Sequence, residues 1–230
     1  MVHFMKLTNS FRYYTYISLL LLSYQFGMRF IFSLTIISQL PDVWYYLFVT
    51  GVVACHGVVA GYLLWYHQHL LAIRKVTFSW LSLMYSMLAF VLLFLWASFT
   101  PLIFPITQNA QAIREGFQEL TGFAFFIQMV FYPIVVAPIS EELVYRGLVM
   151  SSFQKFQSYR LDMLISSSLF SCIHIHSLQN GWVITDFIYY FVMGFILSWL
   201  YRKTNSVWYT IGVHFAWNAL LTILNIFIRK

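Results

Sequence analysis

The sequence predicts an all-α, polytopic helical integral membrane protein, and two observations carry that reading. Of 230 residues, 61% are hydrophobic, 21% aromatic and only 9% charged, whereas a soluble domain carries roughly 25% charged residues. The charged residues also gather in short groups between long apolar runs, as they do where helices cross a bilayer and loops join them. The net charge of +6 then belongs to loops beside the membrane. No basic face with interleaved polar surface exists, so nucleic acid is not expected as a partner.

About seven spans are expected (six to eight), near 13–38, 44–66, 79–104, 122–150, 163–176, 186–201 and 207–228. A basic head, "MVHFMKLTNSFR", precedes the first. That stretch is too long for a secretory leader and lacks a small-residue cleavage site, so it reads as a span. The spans near 163–176 and 186–201 fall short of the roughly 20 residues a crossing needs, which predicts tilt, an interfacial position or extension by their flanks. Pro101, Pro105, Pro133 and Pro138 punctuate the third and fourth spans and predict kinks there. No repeat or linker divides the chain, so residues 1–230 form one membrane domain, with 1–121 as N-terminal spans. Cys55 and Cys172 both lie in apolar runs, and no structural disulfide is expected.

Orientation follows the Lys/Arg bias. Lys6 and Arg12, Arg74–Lys75, Lys155 with Arg160, and Arg202–Lys203 alternate with loops poor in basic residues. The positive-inside rule then puts the N-terminus in the cytosol of a cell-membrane protein. Arg229–Lys230 falls on the opposite side, against the rule, as it would if the last span crossed only in part or the count were off by one.

An ionisable side chain inside a span costs a few kcal/mol or more and marks a candidate functional site. Arg29, His56, Glu141, Glu142, Arg146, His174, His176 and His214 are such groups, with Asn218 as a neutral companion. Arg29 reads as a snorkelling residue at the end of its span, and His56, in "VACHGVVAG", as a packing residue among small neighbours. Glu142 and Arg146 in "EELVYR" are four apart and share a helix face, with the glutamate N-terminal, the better order for an ion pair. Glu141 is rotated about 100° from Glu142 on a 3.6-residue helix. The two carboxylates therefore have separate jobs: Glu142 is neutralised by Arg146, and Glu141 faces a cavity.

Phe170 and His174 in "FSCIH", and His214 and Asn218 in "HFAWN", are likewise four apart. At 1.5 Å per residue, Glu141 lies roughly 21 Å from Lys155, His174 about 18 Å from Asp162 and His214 about 17 Å from Lys203. Three helices thus bring a carboxylate and two imidazoles to similar depth. Desolvation makes a carboxylate a stronger base, so Glu141 is expected to take a proton from water with His174 as its partner. His214 and Asn218 are placed to donate hydrogen bonds to the oxyanion that forms when water adds to a peptide carbonyl. The reaction read from these residues is intramembrane peptide hydrolysis without a serine or cysteine nucleophile.

The three patterns E-E-x-x-x-R, F-x-x-x-H and H-x-x-x-N stand in order in successive C-terminal spans. In this the chain resembles the CPBP family, the CAAX proteases and bacteriocin-processing enzymes, also called the Abi family of intramembrane glutamic endopeptidases. The resemblance covers roughly 122–228. It implies Glu141 as the water-activating base, His174 as its partner, His214 and Asn218 as oxyanion stabilisers, and Glu142, Arg146 and Phe170 as supporting motif residues. It further implies a peptide or membrane-protein substrate in the lipid bilayer, such as a small peptide in bacteriocin maturation, self-immunity or peptide signalling.

Glu141, His174 and His214 are also the donor types of a His₂Glu zinc site. No H-E-x-x-H pair supplies two ligands from one helix, and Asn218 suits hydrogen bonding better than zinc, so no cofactor and no metal are expected. Three other readings accompany the peptidase: a non-proteolytic immunity or scaffold protein that binds a toxin or membrane partner, a CAAX prenyl protease, and a transporter with a proton-linked Glu/His relay. Buried His and Asn also serve as interhelical hydrogen-bond glue, and each alone would read that way. Their joint occurrence in three motifs favours catalysis.

Overall fold

The computed structural model describes residues 42–70, 78–175 and 183–228. The expected span 13–38, Arg29 and His176 lie outside these residues, as do the side chains of His56 and the terminal Arg229–Lys230. Seven helices organise what is described: α1 Asp42–Leu70, α2 Trp80–Phe99, α3 Gln108–Glu119, α4 Gly122–Ser152, α5 Leu161–Cys172, α6 Val183–Thr204 and α7 Val207–Ile228. Among the described residues there is no strand. Cys55 and Cys172 are free thiols.

Among the described residues, four helices are long and apolar enough to cross a membrane: Trp80–Leu102, Gly122–Ser152, Ile184–Thr204 and Val207–Ile228. They correspond to the expected third, fourth, sixth and seventh spans. The sixth is not short, because Arg202, Lys203 and Thr204 continue its helix to 22 residues. The stretch near 163–176 is different. Its helix stops at Cys172 after 12 residues, about 18 Å at 1.5 Å per residue, well under the hydrocarbon thickness.

Large apolar residues along α2, among them Trp80, Leu81, Met84, Met87 and Val91, are exposed, as expected for a face whose solvent is lipid. The opposite face buries Ala89 and Leu93 against α6 and α7. The inner helices meet through small residues. Gly194 on α6 approaches α5 so closely that an added Cβ would lie 3.1 Å from both Ser167 Cα and Phe170 Cδ1. Close backbone approach of this kind drives helix association where the surroundings are already apolar. Ser166 and Ser171 spend their hydroxyls across helices, on the carbonyls of Tyr145 at 2.9 Å and Phe187 at 2.5 Å.

Helix α4 is not α-helical throughout. It alternates register: residues 126–136 and 143–149 are π-helical, and the segment Ala137–Glu142 between them is α-helical. The Ala137 N–H donates to Tyr132 and the Met150 N–H to Tyr145, each five residues back. The prolines explain part of this. Pro133 and Pro138 have no N–H to give, so neither can close a turn of the α or the π register. Because π turns hold more residues, the even rise used for the depth count does not hold between Glu141 and Lys155.

Residues 105–121, which join the expected third and fourth spans, contain α3 (Gln108–Glu119). Thr107 caps it, accepting the Ala110 N–H at 3.2 Å, and Ile106, Ala110, Ile113 and Phe117 recur at helical spacing. α3 is short and polar on its outer side, so it does not cross. It forms one wall of the cleft described next.

Candidate active site

A cleft of about 750 Å³ runs from the middle of the bundle to the end occupied by α3. Glu141, Phe170, His174, His214 and Asn218 all line it. The structure thus brings together, from α4, the end of α5 and α7, the residues that the motifs single out. Glu142 and Arg146 sit behind the wall, fully buried.

Arg146 donates from Nη1 to Glu142 Oε1 at 2.9 Å and from Nη2 to the Gly194 carbonyl at 2.9 Å. The expected ion pair is present, and it has a third member. His214 Nδ1 lies 2.8 Å from the same Glu142 oxygen. With a carboxylate as acceptor, Nδ1 carries the proton, which turns Nε2 toward the cleft, 3.9 Å from Glu141 Oε2. Glu142 therefore orients His214 as well as balancing Arg146. Helical spacing reports only partners on the same helix, so this link had no signal in the sequence.

His174 is not on a helix. α5 ends at Cys172, and a turn closed by the His174 N–H on the Ser171 carbonyl at 2.9 Å carries the imidazole into the cleft. Its Nδ1 donates to the Phe170 carbonyl at 2.8 Å, which leaves Nε2 as the basic nitrogen. The ring lies between Phe170, at 4.7 Å between centroids, and Tyr190 of α6, at 4.0 Å and 16° between planes. Phe170 also receives the Arg146 guanidinium 4.7 Å from its centroid, a cation–π contact. Arg146, Phe170, His174 and Tyr190 form one column, and the phenylalanine of F-x-x-x-H is the ring that joins the buried ion pair to the cleft histidine.

Asn218, one turn beyond His214 on α7, donates from Nδ2 to the Pro133 carbonyl at 2.7 Å. In the π register of α4 that carbonyl would be served by residue 138, and Pro138 has no N–H to offer. Asn218 supplies the missing donor. One of its two amide hydrogens is thus committed to the scaffold and one remains for other use.

Glu141 occupies the cleft side of α4, with 14% of its side chain exposed, against 0% for Glu142. Among the described residues no three His, Cys, Asp or Glu side chains are grouped as metal ligands. Sequence reasoning missed Tyr190, Asp186 and α3. The recurrence of Ile106, Ala110, Ile113 and Phe117 was the available signal for α3, and an acidic residue at the start of the span 186–201 was the signal for Asp186; Tyr190 had none.

Comparison with known proteins points the same way. The family description Type II CAAX prenyl endopeptidase Rce1-like matches residues 123–220. The Bacillus subtilis (strain 168) protein named "Putative membrane peptidase YdiL" is 25% identical over 120 residues, covering 52% of this chain and 44% of that protein. The "UPF0177 protein YxdF" of Lactococcus lactis subsp. lactis (strain IL1403) is 31% identical over 72 residues, 31% of this chain and 36% of that protein. The chain spans less than half the length of these two relatives. No solved structure matches. Every residue of the three motifs falls inside the matched segment, and over residues 123–220 the chain is similar to the Rce1-like CAAX protease family.

Proposed function

We propose that this chain is an endopeptidase of the bacterial cell membrane that hydrolyses a peptide bond with water activated by Glu141. The observation that carries this reading is the convergence of Glu141, His174, His214 and Asn218 on one cleft between membrane helices. Glu141 takes a proton from water while His174, its Nδ1 held by Phe170, uses Nε2 to hold that water. As the oxygen adds to the carbonyl, negative charge develops on the carbonyl oxygen. The second amide hydrogen of Asn218 meets it, together with His214, which Glu142 holds in place through Nδ1. Donors fixed before reaction are worth most in a site with little water. Collapse of the tetrahedral species breaks the C–N bond, and the proton taken by Glu141 passes to the leaving amine.

No step requires a metal ion. The substrate class that fits is a small membrane-associated peptide, as in bacteriocin self-immunity or peptide signalling. The full chain, purified in detergent micelles, is tested on a quenched-fluorescence peptide library with and without EDTA. The wild type cleaves in both conditions, and Glu141→Ala and His174→Ala do not. Cleavage retained by both variants contradicts the mechanism, and loss of cleavage with EDTA contradicts its metal independence. A cellular phenotype that survives both substitutions at normal membrane levels favours a scaffold instead.

A further inference from the structure

The column beside the cleft does not end at His174. Tyr190 stacks on that imidazole at 4.0 Å and is itself buried, 7% exposed. Its hydroxyl accepts a hydrogen bond from Asn109 Nδ2 at 2.7 Å, and Asn109 stands in the first turn of α3. One turn earlier on α6, Asp186 is buried, and its Oδ1 accepts the Gln108 N–H at 3.1 Å. Residues four apart share a helix face, so one strip of α6 touches both the cleft histidine and the N-terminus of α3. A carboxylate there also satisfies an N–H that the helix leaves open and complements its dipole.

His174 needs such support. It lies beyond the end of α5, in a turn and not on a helix, where the Nδ1 bond to the Phe170 carbonyl holds one edge of the ring and Tyr190 stacks on its face. α3 needs it as well, because it is a 12-residue helix that rests on the bundle without crossing it.

We infer that Tyr190 is a positioning residue: its ring fixes the plane of His174, and its hydroxyl, together with Asp186, fastens α3 as a wall of the cleft. This rests on the peptidase reading for its consequence in turnover, though not for its structural content. The ring contact sets the direction of Nε2 and so acts on kcat. The hydroxyl contact sets the wall against which substrate lies and so acts on KM.

The test compares Tyr190→Phe with Tyr190→Leu in the full chain in micelles. Selectively ¹⁵N-histidine-labelled protein gives imidazole signals, with those of His174 and His214 assigned by His174→Gln and His214→Gln. In Tyr190→Phe the His174 signal keeps its wild-type position, kcat on the peptide library stays within about twofold, and KM rises. In Tyr190→Leu the His174 signal shifts or broadens, the His214 signal stays in place, and kcat falls about a hundredfold, the usual cost of a small misplacement. An unmoved His174 signal in Tyr190→Leu overturns the inference, and so does an equal loss in both variants. Should Tyr190→Leu not fold, Tyr190→Met removes the ring while keeping bulk and takes its place under the same two outcomes. If the wild type cleaves no peptide, the peptidase reading fails, while the His174 signal still decides the positioning role.

Discussion

Glu141 and Glu142, neighbours on α4, face different surroundings: 14% of the Glu141 side chain is exposed and none of that of Glu142. Inward, Glu142 is closed off: one oxygen serves Arg146 and His214, and no part of the side chain reaches the cleft. Outward, Glu141 faces a cleft of about 750 Å³ beside His174 and Asn218. Adjacent residues of identical chemistry are thus set to different work by helical phase alone. A buried carboxylate with a fixed cation and a fixed imidazole is a structural part. A carboxylate at a cavity wall is available to water.

That contrast can be broken in several ways, ordered here by expected effect. Glu141→Gln should lower cleavage of the peptide library by roughly a thousandfold, about 4 kcal/mol at 1.36 kcal/mol per decade, with folding intact. Arg146→Ala should act through the fold. It leaves Glu142 buried without its cation, a loss of about 3–5 kcal/mol, seen as lowered unfolding stability in micelles together with lost activity.

Gly194→Ala should cost about 1–3 kcal/mol by overpacking, because the new methyl meets Phe170 and Ser167 at 3.1 Å. Displacing Phe170 also disturbs His174, so activity should fall further than stability alone explains. Asn218→Ala should cost about 0.6–1.7 kcal/mol, the range for one hydrogen bond between membrane helices. Its partner test is sharper. Pro138→Ala restores an N–H in register with the Pro133 carbonyl, so the stability cost of Asn218→Ala should shrink in the Pro138→Ala background. A double-mutant cycle in unfolding free energy reads that coupling.

Much of the site was legible because its parts are written locally. Residues four apart fall on one helix face, so the Glu142–Arg146 pair and the shared face of His214 and Asn218 follow from spacing, while Phe170 and His174 meet although His174 lies in the turn after α5. What crosses between helices was not legible. The bond from His214 to Glu142 joins residues 72 positions apart, and the Tyr190 stack comes from a helix with no motif. The prolines of α4 were visible, but sequence gives the missing N–H and not the π register around it. The fold shows the same division. Long apolar runs foretold the four described helices long and apolar enough to cross, whereas α3, amphipathic and short, fell between expected spans, and α5 gave no sign of ending at Cys172.

The central claim, that the two glutamates divide structure from chemistry, is tested most directly by the unfolding free energies of Glu141→Gln and Glu142→Gln measured side by side in mixed micelles. The account predicts that Glu141→Gln stays within about 0.5 kcal/mol of the wild type, while Glu142→Gln, which strands the buried Arg146 charge, loses about 3 kcal/mol or more. Equal losses, or the greater loss at Glu141, would contradict it.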